Sequence, residues 1–377
     1  MTTLGAVPVF LLGAQAVVIR SELGFDERSF GLLVGSFFIA AAAAATVSAL
    51  FLDRVGPRRS MLAAGVVTCS GGLGLALFAH SYVALLVAMV GLGVGNALLQ
   101  LTANLVLALR SPSERGGLAF GIKQSAVPLA LMLGGLAVPV LGAAQGWRWS
   151  FAVTGFGGLV VAMTGLLTRL GPALSRHPAD RQRPPAGPLV VTAVAMAVAS
   201  AAVNALAAFL PSWGHEVGLS SSQAGLLVAV GGGLAVVMRV WSGHAADRRN
   251  GRNFPVVCRQ LLIGALGMTV LATGQVPWLL VGGLLAIGVG WGWPGLLLFA
   301  VVRIGRDTPG AAAGMLQAGA FAGGAAGPIV FGALVTSAGY PAAWLAAATA
   351  SALAAAILVR ARAGFRMDLR ARPLQAP

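Results

Sequence analysis

Carboxylates are scarce in this sequence: ten Asp and Glu in 377 residues, against 25 Lys and Arg. Charged residues make up 9% of the chain and hydrophobic ones 58%, whereas a soluble domain carries about 25% charged residues. Most of the chain therefore cannot face water. The acids Glu22, Asp26, Glu27, Asp53, Glu114, Asp180, Glu216, Asp247, Asp307 and Asp368 all fall at or beyond the ends of apolar runs. No carboxylate is placed at mid-membrane depth to bind a cation or relay a proton. Lysine is rarer still, with Lys123 the single one. The two cysteines, Cys69 and Cys258, sit in or beside apolar runs without metal-ligand spacing, which excludes a disulfide framework and suggests packing residues.

Other absences narrow the function classes. His80, His177, His215 and His244 avoid the middles of the apolar runs, and nothing clusters His, Cys, Asp or Glu at membrane depth, so neither a membrane-embedded enzyme nor a metal or cofactor is expected. Walker, zinc-ligand and nucleophile-elbow patterns are missing. Gly91, Gly93 and Gly95 lie inside an apolar run rather than after a strand, and read as small-residue helix packing. The linker and tail described below leave no room for the soluble domain of a sensor. The net charge of +15 would suit nucleic acid only on a soluble fold with a basic face; here the arginines occupy short gaps between apolar runs, and no nucleic-acid partner is expected.

What is present is a series of runs long enough to cross a bilayer, about 20 residues each at 1.5 Å rise. They cover 3–20, 29–52, 60–80, 82–109, 117–143, 148–168, 189–212, 223–244, 256–275, 278–302, 311–337 and 341–360. The fold class is all-α membrane protein, with twelve transmembrane helices in two six-helix repeats. The boundaries are an N-terminal bundle 1–168, a Pro- and Arg-rich cytoplasmic linker 169–188, a C-terminal bundle 189–360 and a cytoplasmic tail 361–377. Even-numbered connections and the tail collect twenty arginines, the other side three, Arg20, Arg28 and Arg148. By the positive-inside rule the rich side and both termini are cytoplasmic. Trp147, Trp149, Trp213, Trp278 and Trp344 are expected to mark the opposite interface as an aromatic belt. The first run lacks a basic segment before Leu4 and is kept as a mature span rather than a signal peptide.

The repeat is visible directly. ELGFDERSFGLLVG at 22–35 aligns with EVGLSSSQAGLLVA at 216–229, and GLAFGIKQ at 117–124 with GAAAGMLQ at 310–317. DRVGPRR at 53–59 aligns with DRRNGRN at 247–253. The nearly constant offset makes duplication of a six-helix unit, both copies in one orientation, the economical reading. The first copy begins some six residues late against the second, as a missed upstream start would produce.

The connections after the second and eighth spans, ALFLDRVGPRR and GHAADRRNGR, resemble the G-x-x-x-D-R-x-G-R-R signature of the major facilitator superfamily, at the two places where that family carries it. The first copy has Ala49 for the usual Gly and Pro57 before its paired arginines; the second keeps Gly243 and has an extra residue before Gly251. The resemblance spans the chain and implies two six-helix bundles around a central cavity with alternating access. It also implies that Asp53, Arg54, Arg58, Arg59, Gly243, Asp247, Arg248 and Arg252 form gating contacts at the cytoplasmic helix ends; topogenic charge alone is the plainer alternative.

Within the spans two charges remain, Lys123 and Arg239, both at similar depth in the cytoplasmic half. Snorkelling is the bland reading for each. Arg239-Val-Trp-Ser-Gly243 resembles the Arg-x-x-x-Gly of organic-anion, monocarboxylate and cyanate-permease-like carriers of the superfamily, in which the arginine holds the substrate's negative charge. Asn96, Gln100 and Asn104 stack on one face of span four. Gln15, Gln124, Asn204 and Gln317 are isolated polar residues in four other spans, and Trp291 and Trp293 stand just before a helix-breaking proline, Pro294, in span ten. All are candidates to line a substrate cavity. Two cations without an anion favour a small organic or inorganic anion as substrate for a monomeric secondary transporter. The alternative is a proton-coupled drug or metabolite exporter of the same superfamily; the absent buried acid, Ala126-Val127-Pro128 where such antiporters have Gly-Pro in span five, and Val87 where they place an arginine all count against it.

Overall fold

The computed structural model describes residues 1–110, 116–168, 186–248, 253–304 and 309–371, apart from the side chains at 49–54, 107–110, 116–117, 119–120, 186, 247, 303–304, 309–311 and 369–371. Linker residues 169–185 and parts of three connections thus lie outside the described residues, and with them Arg252 and the side chains of Asp53, Arg54 and Asp247.

The described chain is helical throughout its spans. Eight straightforward passes are Glu27–Ser48, Val55–Phe78, Tyr82–Val106, Gly121–Gln145, Trp147–Leu167, Gly187–Glu216, Ser221–Ala246 and Phe254–Leu271, here spans two to nine. Span ten is Val276–Val302. Span one is broken, Thr2–Ala14 meeting Ala16–Leu23 at 65°. The helix Ala312–Asp368 is 57 residues long, far more than the 20 or so a bilayer requires. It folds back at Gly339, whose φ of 82° and ψ of 168° are not helical, and so supplies spans eleven and twelve. The twelve-pass reading holds, and the break in span one is new; neither Gln15 nor its neighbours carried a breaking signal.

The repeated segments fold alike. Gly24 and Gly218 both take positive φ, 67° and 113°, a conformation open to glycine. Two residues on, Asp26 caps span two by accepting from the Ser29 amide at 2.9 Å. At the matching place Ser220 caps span eight, accepting from the Gln223 amide at 3.2 Å while the Gln223 side chain accepts from the Ser220 amide. The motif read as a sequence repeat is thus one structural device used twice.

Small residues bring the helices together. Within the second half, Gly323 and Gly327 lie against the backbone of Ala197 and Ala201, so that a methyl group at either glycine would collide with a carbonyl oxygen. The halves meet along two seams. Spans two and eleven touch at Gly31 against Pro328 and at Gly332 against Glu27; spans five and eight touch at Gly135 against Gly225, Gly232 against Pro128 and Gly121 against Gly243.

Above the first seam, on the arginine-poor side, an aromatic chain joins the halves. Phe30 packs edge-on to Phe209 at 5.1 Å, Phe209 lies 4.8 Å from Phe331, and Phe331 reaches Tyr340 and Trp344. Of the five tryptophans expected in a lipid-facing belt, Trp149 and Trp278 are exposed, whereas Trp147, Trp213 and Trp344 are buried. Trp147 donates to Glu22 at 2.6 Å, and Trp213 donates to the Leu271 carbonyl at 2.9 Å and stacks on Tyr340. The arginines of this side are partly paired, Arg20 with Glu27 and Arg148 with Glu22.

Candidate substrate site

Between the halves lies a cavity of about 100 Å³, room for several waters or a small polar solute. Both halves supply its polar wall: Asn96, Gln100 and Gln124 from the first, Asn204, Arg239 and Gln317 from the second. Gln124 and Gln317 occupy matching positions of the repeat and face one chamber. Phe10, Phe37, Phe38 and Phe321 form much of the apolar remainder.

Arg239 dominates the chemistry. It is 2% exposed, and a buried charge at this depth is costly unless its donors are met. Its Nε and Nη2 donate to the Trp291 carbonyl at 3.2 and 3.1 Å, and its Nη1 donates to the Gln124 carbonyl across the seam. The guanidinium also lies 5.6 Å from the Trp291 ring centroid, within cation–π range. The carbonyls carry dipoles but no charge to offset the guanidinium, and no carboxylate is among the described residues lining the cavity.

The other sequence candidates sort cleanly. Asn96 is buried and accepts from Gln100 Nε2 at 3.0 Å, while Asn204 donates to the Ser200 carbonyl at 2.8 Å. Asn104 is exposed and outside the cavity wall. Lys123, half-buried on the neighbouring face of span five, does not line the cavity either. Trp291 lines it, but Trp293 is fully buried in packing. Gln15 is buried at the break in span one, away from the cavity wall, and its amide has no hydrogen-bond partner. Ser200, Met196 and the phenylalanines also line the cavity, and polarity in an apolar run does not single out the apolar ones. Ser200 sits one turn before Asn204, and that spacing was the available signal.

Among the gating candidates, Arg58 donates to the Leu166 carbonyl at 3.0 Å, which ties span three to span six within one half. Arg59 and Arg248 are exposed. Gly243 is buried where spans five and eight cross. The Asp53–Arg54 and Asp247–Arg252 contacts fall outside the described residues.

Comparison with known proteins agrees in kind. The sequence profile of the Major Facilitator Superfamily matches residues 2–316. A protein of Agrobacterium vitis named "Putative tartrate transporter" is 26% identical over 343 residues, covering 81% of this chain and 74% of its own length. A "Probable sulfoacetate transporter" of Cupriavidus necator is 30% identical over 148 residues, 38% of this chain and 33% of its own. Among solved structures, a D-xylose-proton symporter superposes with a TM-score of 0.79 at 18% identity, covering 95% of each chain; that likeness concerns the fold.

Proposed function

The chain belongs to the Major Facilitator Superfamily, and from that premise we propose that it carries a small organic anion across the cytoplasmic membrane by alternating access, with Arg239 holding the anionic group. The observation that carries the proposal is a buried guanidinium on the wall of the chamber between the halves, faced by amides and aromatics and, among the described residues, by no acid. A carboxylate or sulfonate can take two parallel hydrogen bonds from such a fork. Asn96, Gln100, Asn204 and Gln317 offer donors and acceptors to the rest of the solute, which suits hydroxyl or carbonyl groups. The two relatives named for tartrate and sulfoacetate support an oxygen-rich acid. In this reading the six-helix halves divide at the linker 169–188, both termini are cytoplasmic, and the described state is closed on the outer side by the Phe30–Phe209–Phe331 chain. Asp53 and Asp247 with their neighbouring arginines act as inner-side gating pairs.

Ligand-induced thermal stabilisation of the purified protein tests it, with a panel of hydroxy-carboxylates, sulfonates, inorganic anions and organic cations. An anion present at about 100 times its Kd stabilises by about 2.7 kcal/mol, an easily measured upward shift. Stabilisation by one anion class, abolished in Arg239→Gln, is the expected outcome. Stabilisation by cations, or anion binding that survives Arg239→Gln, overturns the assignment and moves the exporter reading ahead.

A further inference from the structure

The bond from Arg239 to span five depends on a proline that the transport reading does not use. In a helix the carbonyl of residue i accepts from the amide of residue i+4. The residue four beyond Gln124 is Pro128, which has no amide proton to give. Its neighbours keep the ladder: Ser125 N donates to the Gly121 carbonyl at 3.0 Å and Leu129 N to the Ser125 carbonyl at 3.0 Å. The Gln124 carbonyl is therefore left open inside span five, and Arg239 Nη1 occupies it.

The second acceptor arises in the same way. Span ten interrupts its regular winding with a π-turn over Leu284–Val289 and restarts as a helix at Trp293. The Trp291 carbonyl precedes that helix and lies outside its ladder. Each half thus presents one carbonyl released by a helix break, and the guanidinium spans both. The close approach of Gly121 to the Arg239 carbonyl and Gly243 lets the side chain cross at this point. In the duplicated halves the arginine's counterpart is Ala45 and the proline's is Phe321. The proline stands in the first copy and the cation in the second, and neither is repeated at the corresponding place of the other copy.

We propose that Pro128 is a positioning residue for the anion site: it frees the Gln124 carbonyl to hold Arg239 in the empty carrier, and the incoming anion displaces that carbonyl, breaking the bond between the halves as it binds. The Trp291 carbonyl takes the Nε–Nη2 edge of the guanidinium, so a bidentate anion must use the Nη1–Nη2 edge, where the Gln124 carbonyl already holds Nη1. Binding and release of the cross-seam bond then become one exchange. The inference rests on the anion reading of Arg239 for its second step and on the described hydrogen bonds alone for its first.

Each step has its own measurement. The first is a ligand-free thermal-unfolding cycle of Pro128→Ala, Arg239→Gln and the double variant. Arg239→Gln leaves the Gln124 carbonyl unmet, and the new amide of Pro128→Ala fills it. Pro128→Ala is therefore expected to raise Tm in the Arg239→Gln background by about 2 °C or more beyond its effect in the parent. Additive effects overturn the proposal, whatever the ligand. The second is anion affinity, measured with the best anion of the panel. Pro128→Ala relieves the competition and is expected to tighten binding about fivefold to tenfold, and to lose that effect in Arg239→Lys, whose single ammonium cannot bridge both carbonyls. A proline serving only to bend span five gives unchanged or weaker binding in Pro128→Ala, which overturns the competition step. If the cycle is coupled while no anion stabilises the parent protein, the held guanidinium stands and the anion reading of Arg239 is what fails. Pro128→Gly, which also supplies the amide, repeats both measurements should Pro128→Ala fold poorly.

Discussion

The cavity wall is built from amide side chains whose contributions differ because a helix turns about 100° per residue. Asn96 and Gln100 are one turn apart, bonded at 3.0 Å, and both face the chamber. Asn104 is two turns from Asn96, where the face has drifted by about 80° and the helix has risen about 12 Å, which carries it out of the wall. Gln100→Ala is thus expected to weaken anion binding about tenfold, the worth of a hydrogen bond to a charged group, and Asn104→Ala to change it by less than about twofold. Titrating the anion against both variants decides it; equal effects would put the chamber elsewhere along span four. The same geometry explains what could be read from the sequence. Arg239 and Lys123 stand out together because a charge is conspicuous in an apolar run. Depth is legible from rise per residue, but azimuth is not, and azimuth is what separates Lys123 from its neighbour Gln124. Gln15 marks a 65° bend in a span with no glycine or proline at the break itself, so its position beside the break cannot be read from the sequence.

At the scale of elements, spans end where the sequence breaks them, and the positive-φ turn at Gly339 shows the reason most plainly. With φ at 82° and ψ at 168° the residue occupies a region closed to side chains bearing a Cβ. The polypeptide reverses there without a loop, Pro341 following two residues on. Gly339→Ala is expected to cost about 1–3 kcal/mol, read as a lowered unfolding temperature. Gly314→Ala, in a helical stretch whose Cβ would meet open space, is expected to be neutral or slightly stabilising. The break at 338–340 was legible in the sequence. The environment of the tryptophans was not. A tryptophan beside a helix end satisfies the belt pattern whether it faces lipid, as Trp149 and Trp278 do, or donates inward, as Trp147 does to Glu22. Hydropathy assigns depth without saying which neighbour lies beside the ring, and here inward partners were available for Trp147 and Trp213.

For the whole molecule, the sequence repeat dictated two similar halves, but the state in which they meet depends on contacts between them. The seam of spans two and eleven is drawn tight by Gly31 and Gly332, and the aromatic chain from Phe30 through Phe209 to Phe331 covers it. Phe30 and Phe209 are fully buried, and they belong to opposite halves, so separation on this side must expose both rings. Truncating one such ring costs about 3–5 kcal/mol where it is packed. Two access states of a carrier differ by only a few kcal/mol. Phe209→Ala should therefore move a large share of molecules out of this closed arrangement without unfolding them. Spin labels at Ser21 and Gln275, exposed residues of the two halves on this side, would report it in a background free of Cys69 and Cys258. The expected result is a longer inter-label distance that grows in Phe209→Ala and shrinks again when an anion favours closure. A distance distribution unchanged by Phe209→Ala would mean that the glycine-to-backbone contacts alone hold the arginine-poor side, and that the rings only fill space beside them.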